Sequence, residues 1–414
     1  MKKTVIRIFA MLLVILSIAS MLTSCGGSKK KKPSGSVMTV RCAVICPVTG
    51  PGARTAITEE ASISAAEQHM KEDNFLDPAY EIEFIRPFID DEDSPDKAPV
   101  AANLAISMDP HVVIGSHKTV FIMAYGELYE EAEIPIIGII SGPAPAEQGW
   151  KWFHYGTCTD ADAGATLAEY LANVKGFKNI LVMARNDEGG KVGAKAVIEK
   201  LEEYGVAVPA DHYMEFATDE TDFAAYAMRA KELQVDCVLT YGLGGAAALT
   251  CYDQIEQIYG PIPDTCFYAG STSFAQPSMA EMFPPDKLQG IIFPSAYIHD
   301  PDNNFVTRFE NQFKENDPEN QWPGDNQGRV YDACWNIAAA INLMVENDGY
   351  LDPDKDDNFR ERLNYWLSQL ERQGVQGEIN YKYFTDTDGS GRIIKNANIG
   401  EWQSSGQAVK IYPK

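Results

Sequence analysis

The side chains that most often perform catalysis are scattered along this chain of 414 residues. Six histidines are spread through the sequence, and no G-x-S-x-G, H-E-x-x-H or P-loop spacing occurs. Asp90 and Asp91 are adjacent, but they lie in a polar stretch where two solvated carboxylates are the simplest interpretation. The sequence therefore predicts a protein that is not an enzyme and has no cofactor. The alternative of an extracellular α/β hydrolase is not supported, because the sequence contains no nucleophile motif.

The eight cysteines show no C-x-x-C spacing, so no metal site is indicated. Cys42 and Cys46 fall on one predicted strand, where four residues span about 13 Å, too far for a disulfide. Seven cysteines remain after Cys25, and an odd number means one unpaired thiol or a bond between chains. We expect most of them to be small core residues.

Residues 1–24 have the form of a secretory signal, with a basic start and the apolar run Ile8–Leu22. The run is shorter than the roughly 20 residues that cross a bilayer. "LTSC" at its end is similar to the lipobox of bacterial lipoproteins, in which the cysteine is lipidated and becomes the mature N-terminus. That likeness implies a lipid anchor on Cys25, and an ordinary cleaved signal is the alternative. Residues 25–36, rich in Gly, Ser and Lys, are then a flexible tether.

The net charge of the chain is −24. The first 36 residues contain no acidic side chain, so the remainder is more acidic still. Such a surface repels nucleic acid and anionic lipid. A hydrophobic content of 45% supports real cores, and the length after the leader suggests two domains. We expect no later membrane span and a folded part outside the cytoplasm.

From Met38 onward, short apolar strands alternate with helical stretches, and the pattern restarts after "WKWFHYGTCT". This alternation predicts an α/β fold of two lobes, each with a parallel sheet covered on both faces. Near the end, helices are predicted over "NNFVTRFENQFKEN", "YDACWNIAAAINLMVEN" and "NFRERLNYWLSQLERQ". The segment "GEINYKYFTDTDGSGRIIKNANIGEW" predicts an antiparallel ribbon, with a Gly-rich turn at "DTDGSGR" rather than a calcium loop.

The order of these segments resembles the type I periplasmic substrate-binding proteins, specifically the branched-chain amino-acid receptors of ABC transporters. The resemblance rests on "PVTGPGARTA", "DDEDSPDKAPVAANLAI", "VVIGSHKTV", "EIPIIGIISG", "WFHYGTCTDADAGATLAEYL", "LQGIIFPSAY", "RVYDACWNIAAAI" and "GEINYKYFTDTDGSG". It implies two Rossmann-like lobes joined by a hinge of three crossings, near residues 158, 294 and 380. Lobe 1 is then 37–158 plus 295–380, and lobe 2 is 159–294 plus 381–414. The ligand lies between the lobes, and hinge closure buries it.

The same resemblance implies where lobe 1 meets the ligand. "IGSHKTV" ends a strand and begins a helix, whose start favours an anion such as the ligand carboxylate. The candidates in lobe 1 are Ser116, His117, Lys118, Thr119, Ile140, Ser141, Arg54 and Thr55. Lys118 is equally a solvated lysine, His117 a structural histidine and Arg54 a rim residue.

Lobe 2 departs from the amino-acid pattern. Gly189-Gly190 and Leu243 stand where tyrosines are common, with Tyr241 nearby, and Ser271 or Thr272 replaces the acid that pairs with the ligand ammonium. A buried ammonium without a carboxylate is costly, so a carboxylated or neutral polar solute is favoured over a standard branched-chain amino acid. Asp187 and Glu188 are alternative acids.

The resemblance thus implies a monomeric, extracytoplasmic receptor, lipid-anchored to a bacterial membrane, that delivers a small amino-acid-like ligand to an ABC permease. The alternative is a ligand-sensing ectodomain that drives a signalling partner. Nucleic acid is not an expected partner.

Overall fold

The computed structural model describes Gly35 and residues 37–276, 278–320, 322–381 and 397–413. The predicted signal, the lipidation at Cys25, nearly all of the tether and the "DTDGSGR" turn lie outside the described residues.

The first sheet contains six parallel strands in the order β2-β1-β4-β5-β6, with β3 paired to β1. Three helices connect these strands and cover both faces, because the strands are apolar on both sides. The strands are β1 (Met38–Cys46), β2 (Tyr80–Phe84), β3 (Ile89–Asp90), β4 (Val112–Ile114), β5 (Ile136–Gly138) and β6 (Phe153–Tyr155). The helices are α1 (Arg54–Glu72), α2 (Ala98–Ser107) and α3 (Thr119–Ala132).

The second sheet has seven strands in the order β15-β14-β11-β10-β9-β7-β8. Its parallel part comprises β7 (Ile180–Arg185), β8 (Tyr213–Phe216), β9 (Cys237–Tyr241), β10 (Phe267–Gly270) and β11 (Ile292–Ser295). Its helices are α4 (Asp160–Glu169), α5 (Glu188–Glu203), α6 (Ala224–Leu233), α7 (Gly245–Ile258), α8 (Ser278–Met282) and α9 (Pro285–Leu288). The antiparallel strands β14 (Asn398–Trp402) and β15 (Ala408–Tyr412) extend one edge.

Three later helices return to the first sheet and share its core with α1. They are α10 (Asn304–Asn316), α11 (Asp325–Asp348) and α12 (Phe359–Leu367). A hairpin of β12 (Glu371–Gly374) and β13 (Gly377–Asn380) follows.

Two predictions for this region are wrong. The last helix does not continue through "LERQ", because Glu371–Gly374 forms strand β12. The closing segment is not one ribbon. Strand β13 pairs with the preceding strand β12, whereas β14 pairs with β11 and β15. A distant side chain explains the first difference: buried Asp332 on α11 accepts backbone N–H groups of Val375 and Gln376, which holds the hairpin turn.

The chain passes between the two sheets three times, after β6, after β11 and between β13 and β14. Small side chains, Cys158, Ala163, Ala296 and Ala397, form a separate buried cluster at these passages. The Asn398 amide donates to the carbonyl oxygens of Ala296 and Gln376, and therefore ties the passages together. The structure is thus the predicted two-lobed α/β fold.

All seven described cysteines are buried, which confirms the prediction that most are core residues. Burial raises the pKa of the Cys251 and Cys266 thiols to about 12, so both are protonated near neutral pH. Within the described residues, no helix is long and apolar enough to span a membrane. The same part of the chain contains no group of three or more His, Cys, Asp or Glu side chains placed to hold a metal.

Candidate functional site

Asp160 lies where the two lobes meet, as the first residue of α4. The helix begins here because Thr159 and Asp162 form a capping box, in which Thr159 Oγ1 accepts the Asp162 N–H. The Asp160 N–H donates to the Ser141 carbonyl at 2.8 Å. The side-chain hydroxyls of Ser141 in lobe 1 and Thr272 in lobe 2 act on its carboxylate and lower its pKa. Asp160 therefore contacts lobe 1 through its backbone and lines a cavity with Thr272 of lobe 2.

The electrostatics of Asp160 favour a cationic partner. Burial raises its pKa above the ordinary value, although the nearby Arg329 guanidinium and the two hydroxyls act in the opposite direction. Arg329 is already paired with Asp325, and both side chains are buried. The ionised form of Asp160 is therefore incompletely compensated, and a cation bound beside it would stabilise that form.

A cavity of about 210 Å³ opens beside Asp160 on the lobe 2 side. Glycines on α4 and α5 form much of its wall. A Cβ atom added at Gly193 would lie 2.6 Å from Tyr241 Cδ1, and one added at Gly164 would lie 2.8 Å from Val197 Cγ2. The cavity volume equals that of about seven water molecules, so it suits a small solute.

Arg185, the last residue of β7, forms another part of the wall. Its Nε donates to Asp187 Oδ2 at 2.5 Å, and its Nη1 donates to the Gly242 carbonyl at 2.9 Å. Asp187 also caps α5, because its Oδ1 accepts the Gly190 N–H at 2.8 Å. The Gly190 N–H and then Arg185 hold the pKa of Asp187 below its ordinary value.

Three of the four residues predicted in lobe 2 line this cavity: Tyr241, Ser271 and Thr272. The fourth, Leu243, is buried in the core on the far side, among the residues that pack under α7. Burial and then the Asp160 charge raise the pKa of Tyr241, so its hydroxyl stays protonated. The cavity thus combines one carboxylate, one guanidinium and three hydroxyls.

In lobe 1, Ser141 lies in the loop after β5, next to Thr119 at the start of α3. A Cβ atom added at Gly142 would be 2.4 Å from Thr119 Oγ1, so Thr119 packs directly against the Ser141 loop. Ile140 is buried in the lobe 1 core. Ser116 is fully buried, and its Oγ donates to Asp91 Oδ2 at 2.6 Å. The Ser116 hydroxyl is therefore occupied within lobe 1.

The predicted site residues His117 and Lys118 already have acidic partners. His117 Nε2 lies 3.0 Å from Oε1 of buried Glu59, and Lys118 Nζ lies 2.5 Å from Asp93 Oδ1. Although burial opposes protonation, the Glu59 carboxylate raises the pKa of His117. Lys118 is about half exposed.

Arg54 and Thr55 begin helix α1 away from this cavity. The Arg54 guanidinium bridges Asp317 Oδ1 at 2.7 Å and Glu319 Oε2 at 3.0 Å, on the segment between α10 and α11. The Thr55 N–H donates to the Gly52 carbonyl at 2.9 Å. Neither residue lines the cavity beside Asp160.

Sequence reasoning missed Asp160 and Arg185 as site residues. Both carried a signal: Arg185 is a charge at the carboxyl end of a parallel strand, and Asp160 directly follows a passage between lobes. Thr272 and Asp160 are distant in sequence, so residue spacing could not predict that they lie close together.

The two α/β lobes and the polar cavity at their junction define a solute-binding protein. The chain belongs to the periplasmic binding protein family, whose model matches residues 39–407. The function of that family is binding rather than catalysis, which confirms the prediction that the chain is not an enzyme. Membership also indicates an extracytoplasmic location.

Solved structures agree on the fold. An ABC transporter substrate-binding protein from Sphaerobacter thermophilus has a TM-score of 0.73 at 17% identity, covering 91% of this chain and 97% of that one. The branched-chain amino acid transporter substrate-binding protein LivJ from Streptococcus pneumoniae, in complex with isoleucine, has a TM-score of 0.66 at 18% identity, covering 91% and 100%. A solute-binding protein from R. palustris, in complex with benzoate, has a TM-score of 0.64 at 17% identity, covering 91% and 96%. No curated protein matches the sequence.

Proposed function

We propose that this protein captures a small, carboxylate-bearing, amino-acid-like solute between its lobes and delivers it to an ABC permease. The observation that carries the proposal is Asp160, whose N–H donates to the Ser141 carbonyl of one lobe at 2.8 Å and which lines a small polar cavity together with Thr272 of the other. A solute that engages these groups contacts both lobes at once, which favours the closed arrangement.

Asp160 is the proposed partner of the ligand ammonium. It supplies the acid that lobe 2 lacks at Ser271 and Thr272, and the neighbouring hydroxyls provide further hydrogen bonds. The raised pKa supports this role, because a cation beside Asp160 compensates a charge that burial disfavours.

The first turn of α3, with Thr119 and Ser141, is the proposed site for the ligand carboxylate. A helix N-terminus presents unsatisfied N–H groups and favours an anion. Both ligands named for the similar structures, isoleucine and benzoate, carry a carboxylate, which supports this choice. In this proposal Ser116, His117 and Lys118 support the carboxylate site and do not contact the ligand.

The remaining parts of the proposal concern location and movement. Lobe 1 is proposed as 37–158 plus 295–380 and lobe 2 as 159–294 plus 381–414, with the hinge at the small-residue cluster around Cys158. Cys25 is the proposed lipid attachment site, and residues 25–36 are the tether that holds the receptor near its permease.

A thermal-shift screen of amino acids, carboxylates, amides and short peptides tests the binding function. We expect an amino acid to raise the melting temperature of the wild type, since a ligand that binds only the folded state stabilises it by mass action. Asp160→Asn should remove the shift. Asp219→Asn, which deletes an exposed carboxylate from a loop, is the matched control and should retain it. Equal shifts in wild type and Asp160→Asn would refute the assignment.

A further inference from the structure

Arg185 has hydrogen-bonding capacity that its neighbours do not use. A guanidinium carries five N–H donors. Within the described residues, contacts engage Nε with Asp187 and Nη1 with Gly242, and none engages Nη2. The side chain is 35% exposed and lines the cavity beside Asp160. Donors of Arg185 are therefore free to meet a solute.

Glycines fix the position of Arg185. A Cβ atom added at Gly190 would lie 2.4 Å from the Arg185 carbonyl oxygen. Gly242 has a φ of +79°, and a Cβ atom there would lie 2.7 Å from Arg185 Cβ and 3.3 Å from Nε. The first turn of α5 and the turn at Gly242 approach Arg185 this closely only because they carry glycine. The guanidinium is thus held by its surroundings rather than extended into solvent.

The charges and size of the cavity select a particular solute. Asp160 and Arg185 place opposite charges on one small cavity, whose wall also contains glycines, hydroxyls, Ala163 and Pro294 but no Leu, Ile, Val, Phe or Met. An aliphatic side chain in this cavity would lie beside two charged groups, whose desolvation opposes the gain from burial. An anion beside Arg185 would instead form charge-assisted hydrogen bonds, in the fork geometry that suits a carboxylate.

We propose that Arg185 recognises a second anionic group, so that the solute is an amino acid whose side chain ends in a carboxylate. This inference rests on the proposed function and narrows its ligand class. In the proposed pose the α-carboxylate meets α3, the ammonium meets Asp160, and the side-chain carboxylate meets Nη2 of Arg185.

Isothermal titration calorimetry with glutamate, aspartate, glutamine, asparagine and leucine tests the inference. We expect the better acid to bind the wild type about tenfold to hundredfold more tightly than its amide, because the amide cannot form the charge-assisted pair. Arg185→Gln should abolish that preference while changing amide affinity by less than about threefold. Arg229→Gln, which removes an arginine from the outer face of α6, should preserve the preference.

The wild-type comparison decides the question even if Arg185→Gln fails to fold. If amides or leucine bind as tightly as the acids, Arg185 does not select an anion, and the inference is overturned while the proposed function stands. If no solute in the wider thermal-shift screen binds, the proposed function fails, and the inference falls with it. Arg185→Lys, which retains charge but loses the fork, should give an intermediate preference.

Discussion

At the scale of single residues, one carboxylate organises the site. Sequence patterns placed Ser141, Tyr241, Ser271 and Thr272 in the candidate set, and the structure brings these four around Asp160. Sequence patterns did not show which of Tyr241 and Leu243 lines the cavity. That choice depends on where β9 ends, because Tyr241 is its last residue and the chain turns at Gly242 with a positive φ. Backbone turns of this kind decide which side chain faces a cavity.

The affinity for an amino acid should depend on the ionisation of Asp160. Its pKa is raised, so Asp160 gains its proton at a higher pH than an ordinary aspartate when the pH falls. A protonated Asp160 cannot form an ion pair with an ammonium, and affinity should therefore decrease as the pH falls through that raised pKa. Calorimetry across this range should show the decrease in the wild type, and Asp160→Asn should show a weak, flat profile. A wild-type profile as flat as that of the variant would contradict the role of Asp160.

Ser141 and Lys118 should differ in their effect on binding. Ser141→Ala removes a hydroxyl that acts on the Asp160 carboxylate and lowers its pKa, and we expect affinity to fall about fivefold to thirtyfold, the scale of one lost polar interaction in a binding site. Lys118→Ala removes a half-exposed side chain already paired with Asp93, and we expect less than a threefold change, which is about 0.6 kcal/mol. Calorimetry on both variants checks this. A larger loss for Lys118→Ala than for Ser141→Ala would reverse the assignment.

At the scale of elements, buried histidines join the returning helices to the first sheet. His69 on α1 lies 2.8 Å from the Tyr331 hydroxyl of α11, and His154 Nε2 on β6 lies 2.6 Å from Asn364 Oδ1 of α12. His111 packs edge-on against Phe359. The helices themselves were predictable from their periodicity, but these pairings join residues more than 200 positions apart and leave no mark in local sequence.

Acid should destabilise lobe 1 through these histidines. Burial lowers the pKa of His69, His111 and His154 to about 4, against an ordinary value of 6.5. All three are neutral in the folded state above pH 6.5, so their contribution to stability is complete there. As the pH falls from 6.5 toward 4, the three histidines become protonated in the unfolded state but stay neutral in the folded state. Each histidine then lowers the free energy of unfolding by about 1.4 kcal/mol per pH unit.

Urea unfolding between about pH 7 and pH 5 measures this loss. His154→Gln keeps a neutral side chain near Asn364. It should reduce the pH dependence of the free energy of unfolding by the contribution of one histidine. An unchanged slope in that variant would show that His154 is not held neutral.

At the scale of the whole molecule, the account depends on two lobes that can move about their junction. The alternation of strands and helices predicted both lobes, because each buried parallel strand reads as an apolar run. Alternation could not predict where β12 and β14 pair, since those contacts are made by Asp332 and by strand β11, far along the chain. The junction itself is built from small residues, and we expect little steric resistance to hinge motion there.

Small-angle X-ray scattering of the wild type, with and without its tightest-binding amino acid, tests the central claim that the solute is held by both lobes. The account predicts a smaller radius of gyration at saturating ligand, and no decrease for Asp160→Asn at the same ligand concentration. An unchanged radius, in a sample that calorimetry shows to be fully occupied, would contradict it.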